Sequence, residues 1–178
     1  MANQFFKGSL VRLRAMEPAD VEVLYEMEND PDMWDVSNFS VPYSRHVLAQ
    51  YIRQSQSDLF ADRQLRLIIV PLEGDEVLGT IDLTDFQPMH RRGEVGVAIR
   101  ASYRGHGYAC EALQLFADYA FRFLRLRQLT AHVASDNTHS LAMLHDLGFR
   151  QCGTLKEWWR VGGTYKDVAV LQLLNNEQ

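Results

Sequence analysis

The chain has little of what would settle its class at a glance. It holds two cysteines, Cys110 and Cys152, far apart in 178 residues. They give no disulfide framework and have no zinc-ligand spacing. Six histidines are scattered without a His-x-x-x-His pair, so no metal site is expected. No run of about 18 apolar residues occurs, which excludes a membrane-spanning helix. Residues 1–7 lack the apolar core of a signal peptide, so a cytoplasmic location is expected. Positive charge is in deficit: 18 Lys and Arg face 23 Asp and Glu, a net charge of −5. That argues against a nucleic-acid surface. No repeat or low-complexity tract is present. What remains is an ordinary globular composition, 47% hydrophobic and 23% charged, long enough for one domain over residues 1–178.

The most informative stretch runs from Glu94 to Phe121. Residues 94–100 are mostly apolar and partly β-branched, which predicts a buried strand. From Ala109 onward, Ala112, Leu113, Phe116, Ala117, Ala120 and Leu124 recur at helical spacing. Gly105 and Gly107 stand between the two. A helix starting near Gly107 leaves first-turn N–H groups without intrahelical acceptors, and its dipole favours negative charge there. Glycines let a ligand come close to the backbone. The stretch is therefore read as a phosphate or pyrophosphate seat, with Arg104 as an added positive charge. A P-loop is excluded, because no Lys-Ser or Lys-Thr follows the last glycine. A Rossmann fingerprint is excluded because its third glycine position holds Cys110. In the first helical turn Cys110 reads as a small space-filling residue, with an activated thiolate as the alternative.

The rest of the chain reads as alternating elements. A strand is expected over 10–14 and a helix over 19–29, with Pro18 near its first turn. Acidic residues Glu22, Glu26, Glu28, Asp30, Asp32 and Asp35 follow, interleaved with Met33, Trp34 and Phe39. They are either the mouth of a pocket for a protonated amine or a solvated helix face over core aromatics. A helix is expected over 44–57, strands over 65–70, 77–84 and 94–100, and a loop over 87–93. The His90-Arg91-Arg92 cluster in that loop reads as solvated, with a ligand phosphate or an assembly surface as the alternative. Glu94 opens an otherwise apolar strand. It is either a partly buried carboxylate with a pKa raised toward general-base use, or one paired with Arg91 or Arg92. A fifth strand over 129–134, a short helix closed by Gly148, a strand from Phe149, and a hairpin turning at Gly162-Gly163 complete the chain. Trp158 and Trp159 on that hairpin are a candidate dimer patch, although one of two strand neighbours normally faces the core. The order implies a mixed α/β fold.

Arg104-x-x-Gly107-x-Ala109 resembles the phosphate-loop signature of the GCN5-related N-acetyltransferases, which spans Gln/Arg-x-x-Gly-x-Gly/Ala. Glu94-Val95-Gly96 resembles the strand start of the ribosomal-protein N-terminal acetyltransferase branch. Asn137-x-x-Ser140 followed by Leu144-x-x-Leu147-Gly148-Phe149 resembles a second signature of that branch. The resemblance implies a central mixed, mostly antiparallel sheet flanked by helices, and direct acetyl transfer from acetyl-CoA to a primary amine on a peptide N-terminus or small molecule. It implies that Val97, Ala98 and Ile99 pair with the pantetheine arm. It also implies that Arg104, Gly105, His106, Gly107, Tyr108 and Ala109 hold the pyrophosphate, that Asn137 contacts the cofactor and that Glu94 is the base. No metal is implied, and the oligomeric state stays open, with the tryptophan patch a candidate surface for a homodimer or larger homo-oligomer. Residues 80–85 and 90–94 resemble spermidine acetyltransferases as well, where Asp82 and Asp85 would receive a polyamine. Those enzymes carry a tyrosine where this chain has Leu144. A non-catalytic acyl-CoA-binding domain is the reading from outside the enzymes.

Overall fold

A computed structural model describes residues 5–30, 41–55 and 58–176. Seven strands form one sheet: β1 (Val11–Arg14), β2 (Leu65–Pro71), β3 (Gly79–Gln87), β4 (Arg92–Ile99), β5 (Gln128–Ala134), β6 (Arg150–Val161) and β7 (Thr164–Leu174). Among the described residues five α-helices accompany it: α1 (Val21–Glu28), α2 (Arg45–Gln54), α3 (Leu59–Asp62), α4 (Tyr108–Asp118) and α5 (Thr138–Asp146). The spatial order is β1-β2-β3-β4-β5-β7-β6. Every neighbouring pair is antiparallel except β4 and β5. The mixed, mostly antiparallel sheet expected from the sequence is thus present.

The sheet separates two cores. On one face Leu67, Ile69, Ile81, Leu83, Val95, Leu129 and Ala131 pack with Ala112, Leu113 and Phe116 of α4. On the other, Ile68 and Val70 pack with Leu24 of α1 and with Leu48 and Ile52 of α2. Strand β2 is buried on both sides from Leu67 to Val70, which is why residues 67–70 read as an unbroken apolar run. Fully burying each such side chain contributes about 1.5–3 kcal/mol. The apolar stripe of α4 therefore outweighs the cost of shaping the loop before it.

Boundaries shift where local chemistry decides. Ser44 caps α2 by accepting from the Val47 N–H, and the extended Ser55 ends it at Gln54, short of the expected 57. The four-residue α3 escaped the sequence reading; Asp58 caps it, but so short a segment shows no periodicity. The long central helix ends in a π-turn, Tyr119–Phe123. Helix α5 carries the chain past β7 to the sheet edge, so β7 sits between β5 and β6.

Glu111 in the first turn of α4 ties β1 to that helix. Its carboxylate accepts from the backbone N–H groups of Ser9, Leu10 and Val11 at 2.9, 2.7 and 2.7 Å, and from the Ser9 hydroxyl. Burial pushes its pKa up, but the donors from Ser9, Val11 and Leu10 outweigh that and hold it below the usual glutamate value. A folded-state value below the unfolded one stabilises fully above about pH 4.3, and the stabilisation fades as pH falls toward the folded value. Glu111→Gln is expected to lose roughly 1–3 kcal/mol at pH 7. The deficit in melting temperature should shrink between pH 5 and 3; a constant deficit would rule out this assignment.

Candidate active-site cleft

Strands β4 and β5 pair for three positions, Arg92 with Gln128, Gly93 with Leu129 and Glu94 with Thr130. Both strands run on, to Ile99 and Ala134, but they diverge. The gap is a cleft of about 760 Å³, in the range of small-molecule sites. One wall is the free edge of β4. The Arg100 N–H donates to the Leu78 carbonyl at 2.9 Å. Alternation then turns Ala98 and Gly96 toward β3 and leaves the N–H and C=O of Val97 and Ile99 facing the gap. Arg104 Nε donates to the Ile99 carbonyl at 3.0 Å. The unpaired main chain in the cleft is thus that of Val97 and the Ile99 N–H, and Ala98 is committed to β3.

The mouth of the cleft is the loop before α4. Gly105 and Gly107 have φ of 81° and 82°, a region other residues enter only with strain. Gly107 is the N-cap, with no side chain capping the helix. The first N–H returned to the helix is that of Glu111, bonded to the Gly107 carbonyl at 3.1 Å. Those of Tyr108, Ala109 and Cys110 have no intrahelical acceptor and give a concentrated set of anion donors.

Of the residues singled out in the sequence, Val97, Ala98, Ile99, Arg104, Gly105, Gly107, Tyr108, Ala109 and Asn137 line this cleft. His106 does not: its ring stacks on Tyr108 at 5.6 Å and its Nδ1 lies 3.2 Å from the Tyr103 carbonyl. Asn137 caps α5, its side-chain oxygen accepting from the Ser140 N–H at 3.1 Å. Its amide NH₂ is the part left for a ligand.

Glu94 is partly buried, as one expectation had it, but the ion pair of the other is absent. Neither Arg91 nor Arg92 is its partner. Arg91 Nε donates to the Arg125 carbonyl and Arg92 pairs with Asp85. That basic cluster lies at the start of β4, a strand's length from the phosphate loop. Glu94 Oε1 instead lies 3.0 Å from His132 Nδ1. The contact is close, but the imidazole N–H is not aligned on the oxygen, and Nδ1 is buried with no formed hydrogen bond. His132, not Glu94, lines the cleft.

The inner wall is charged. Arg66 on β2 reaches Asp82 on β3 with Nε at 2.5 Å from Oδ1, and it pairs with Glu28 at the end of α1. All three are largely buried. Burial opposes the Arg66 charge, but Asp82 and Glu28 hold the guanidinium protonated. Among the described residues of this wall, two carboxylates meet one guanidinium, an excess of one negative charge. Gly96 is the register partner of Asp82, and a Cβ placed on it would meet nothing within 4 Å, so it is an open floor beside that wall. Trp159 also lines the cleft and Trp158 is 58% exposed, so the tryptophan pair divides between cleft and solvent. Asp32, Met33, Trp34, Asp35 and Phe39 lie outside the described residues. Among the described residues no three His, Cys, Asp or Glu side chains converge on a metal site, and no helix is long and apolar enough to cross a membrane.

The sequence reading missed Arg66, His132 and Trp159. The signal for His132 was the alternation of Leu129, Ala131 and Val133 inward, which places Thr130 and His132 on the opposite face.

A split sheet with an amide cradle at its mouth is the architecture of an enzyme that takes an acyl group from a phosphorylated thioester carrier. The model of the acetyltransferase (GNAT) domain matches residues 11–150. An uncharacterized N-acetyltransferase p20 of Bacillus licheniformis is 32% identical over 166 residues, 93% of either chain. A spermidine N(1)-acetyltransferase of Escherichia coli K12 is 28% identical over 165 residues, covering 89% of this chain and 82% of that one. The crystal structure of spermidine N-acetyltransferase from Vibrio cholerae with CoA and spermine has a TM-score of 0.83 at 24% identity, over 94% of this chain and 96% of that one. A dodecameric structure of the Vibrio enzyme is similar too, with a TM-score of 0.80. The chain belongs to the acetyltransferase (GNAT) domain family. It is an N-acetyltransferase that uses acetyl-CoA to acetylate an amine.

Proposed function

We propose that acetyl-CoA fills the gap between β4 and β5 and that the acceptor is a primary amine bearing one positive charge at the inner wall. The observation that carries this is the unpaired edge of β4 running straight into the amide cradle of α4. The pyrophosphate sits on the Gly105–Cys110 backbone, with Arg104 beside it. The pantetheine arm follows Val97 and Ile99 as an added strand, and the Asn137 amide donates to it. The thioester then lies deep in the wedge, near Gly96. The amine nitrogen attacks the carbonyl carbon, the C–S bond breaks and the thiolate leaves. A thiol of reference pKa about 8.5 can take its proton from water, which suits an enzyme with Leu144 in the cleft wall. Binding both reactants in one cleft supplies much of the rate.

The wall discriminates among acceptors. Arg66 already occupies Asp82 and Glu28, and Asp85 is paired with Arg92. One net negative charge suits a single ammonium, as on a peptide N-terminus or monoamine, better than a polyamine. The second reading, a polyamine acceptor, is favoured by the names of the Escherichia and Vibrio relatives and by the presence of Asp82 in the cleft.

The test is thiol release from acetyl-CoA with free-N-terminus peptides, monoamines and spermidine. Peptides or monoamines are expected to exceed spermidine at least tenfold in kcat/KM. A preference for spermidine would overturn the acceptor assignment. Self-association belongs to the same reading. It rests on the dodecamer of the Vibrio relative and on Trp158 and Tyr165 exposed on the β6–β7 hairpin. Light scattering on the assayed preparation should read at least a dimer, and a monomer would refute it.

A further inference from the structure

We infer that His132 is the catalytic proton acceptor and that Glu94 positions it. This rests on the cleft being the acetyl-transfer site. Three observations carry it. First, the face is right. Leu129, Ala131 and Val133 point into the α4-side core, so His132 lies on the opposite face of β5, which is also the face of Arg66, Asp82 and Glu94. Second, the depth is right. His132 is two residues beyond Thr130, the last residue of β5 paired to β4, so it stands near the apex of the wedge. An arm anchored at the mouth and running along Ile99 and Val97 delivers its acyl end there. Third, the ring is poised. Nδ1 is buried and 3.0 Å from Glu94 Oε1, while the residue lines the cleft. Nδ1 is the ring nitrogen close to the carboxylate, and a small rotation of the ring would bring its N–H onto the oxygen and leave Nε2 to meet an occupant.

Among the described residues, the other titratable groups of the cleft are committed or remote. Glu28 and Asp82 are paired with Arg66. Tyr103 is bonded to Glu76, and burial together with that carboxylate keeps its hydroxyl protonated. Arg104, Tyr108 and Cys110 belong to the phosphate loop. His139 is exposed on the first turn of α5, beyond the end of β5. Opposite His132 on β7 stands Val170, which carries no charge.

The proton balance is simple. Between ammonium and amide the nitrogen loses two protons, one ending on the CoA sulfur and one in solvent. His132 Nε2 takes one of them. The imidazolium so formed is stabilised by the adjacent Glu94 carboxylate, then releases its proton to the thiolate or to water. A positioned general base of this kind is worth about 10²–10⁴-fold.

His132→Gln and His132→Ala are expected to lower kcat by about 100-fold or more, with acetyl-CoA affinity by calorimetry unchanged within about twofold. Glu94→Gln should lose less, and Glu94→Gln added to His132→Ala should lose nothing further, because residues acting as one unit are non-additive. Retention of kcat by both His132 variants would overturn the assignment. So would a full Glu94→Gln loss in the His132→Ala background, which would make Glu94 an independent base. Failure of the underlying cleft reading shows separately, as acetyl-CoA affinity that is insensitive to the loop at Gly107.

Discussion

Gly107→Val lowers acetyl-CoA affinity by about 100-fold or more, equivalent to about 2.7 kcal/mol. Gly107 caps α4 at φ 82°. An L-residue there costs about 1–2 kcal/mol, and a β-branched one is a pronounced outlier. The chain relieves the strain by rotating the turn, which swings the Tyr108, Ala109 and Cys110 amides off their common target. The valine branches also enter the path of the phosphate. The fold has room for the change, since a Cβ on Gly107 meets only Leu10 Cδ1 at 3.6 Å, an ordinary contact. Loss of binding therefore appears with a cooperative melt retained. Titration calorimetry on wild type, Gly107→Ala and Gly107→Val should rank them in that order. Equal affinities would remove the loop from cofactor binding and the cleft assignment with it.

Gly79→Ala does comparable damage by another route. A Cβ on Gly79 would lie 2.0 Å from the Ala98 carbonyl oxygen and 3.0 Å from both the Ala98 carbonyl carbon and Ile99 Cα. All three obstacles are backbone, so no rotamer change relieves them. Strand β3 must part from β4 at the Gly79–Ile99 pair, which forfeits ladder hydrogen bonds as well as packing. The expected loss is about 3 kcal/mol, the upper end for overpacking, read as a lower urea midpoint. Because the displaced segment is 97–99, acetyl-CoA affinity should fall in the molecules that remain folded. A variant within about 0.5 kcal/mol of wild type, which is the level of a neutral surface change, would mean that the two strands do not approach as closely as described.

What the sequence made legible was local. Strand β4, the turn with its two glycines and the stripe of α4 are contiguous, and each follows from periodicity or backbone freedom within a few residues. Their order was enough to find the cradle and nine of the eleven candidate residues lining one cleft. What escaped depends on partners brought from far along the chain. Arg66 meets Glu28 across 38 residues and Asp82 across 16, and no spacing rule joins them. Sequence proximity offers Glu94 an ion pair only with Arg91 or Arg92, as one of two alternatives. Its actual neighbour, His132, comes from the adjacent parallel strand. The basic cluster at 90–92 was weighed as a phosphate contact, but a strand separates it from the loop. The insertion of β7 between β5 and β6 follows from the long hairpin returning on itself, which a left-to-right reading cannot see.

The three pairs joining β4 to β5 have a mechanical meaning. Four strands lie on one side and three on the other, and the join between the two groups is short. The molecule is two rigid plates riveted at one corner. A bulky product can therefore occupy the space between the plates without any ladder hydrogen bond being broken, because β4 and β5 share none beyond Glu94 and Thr130.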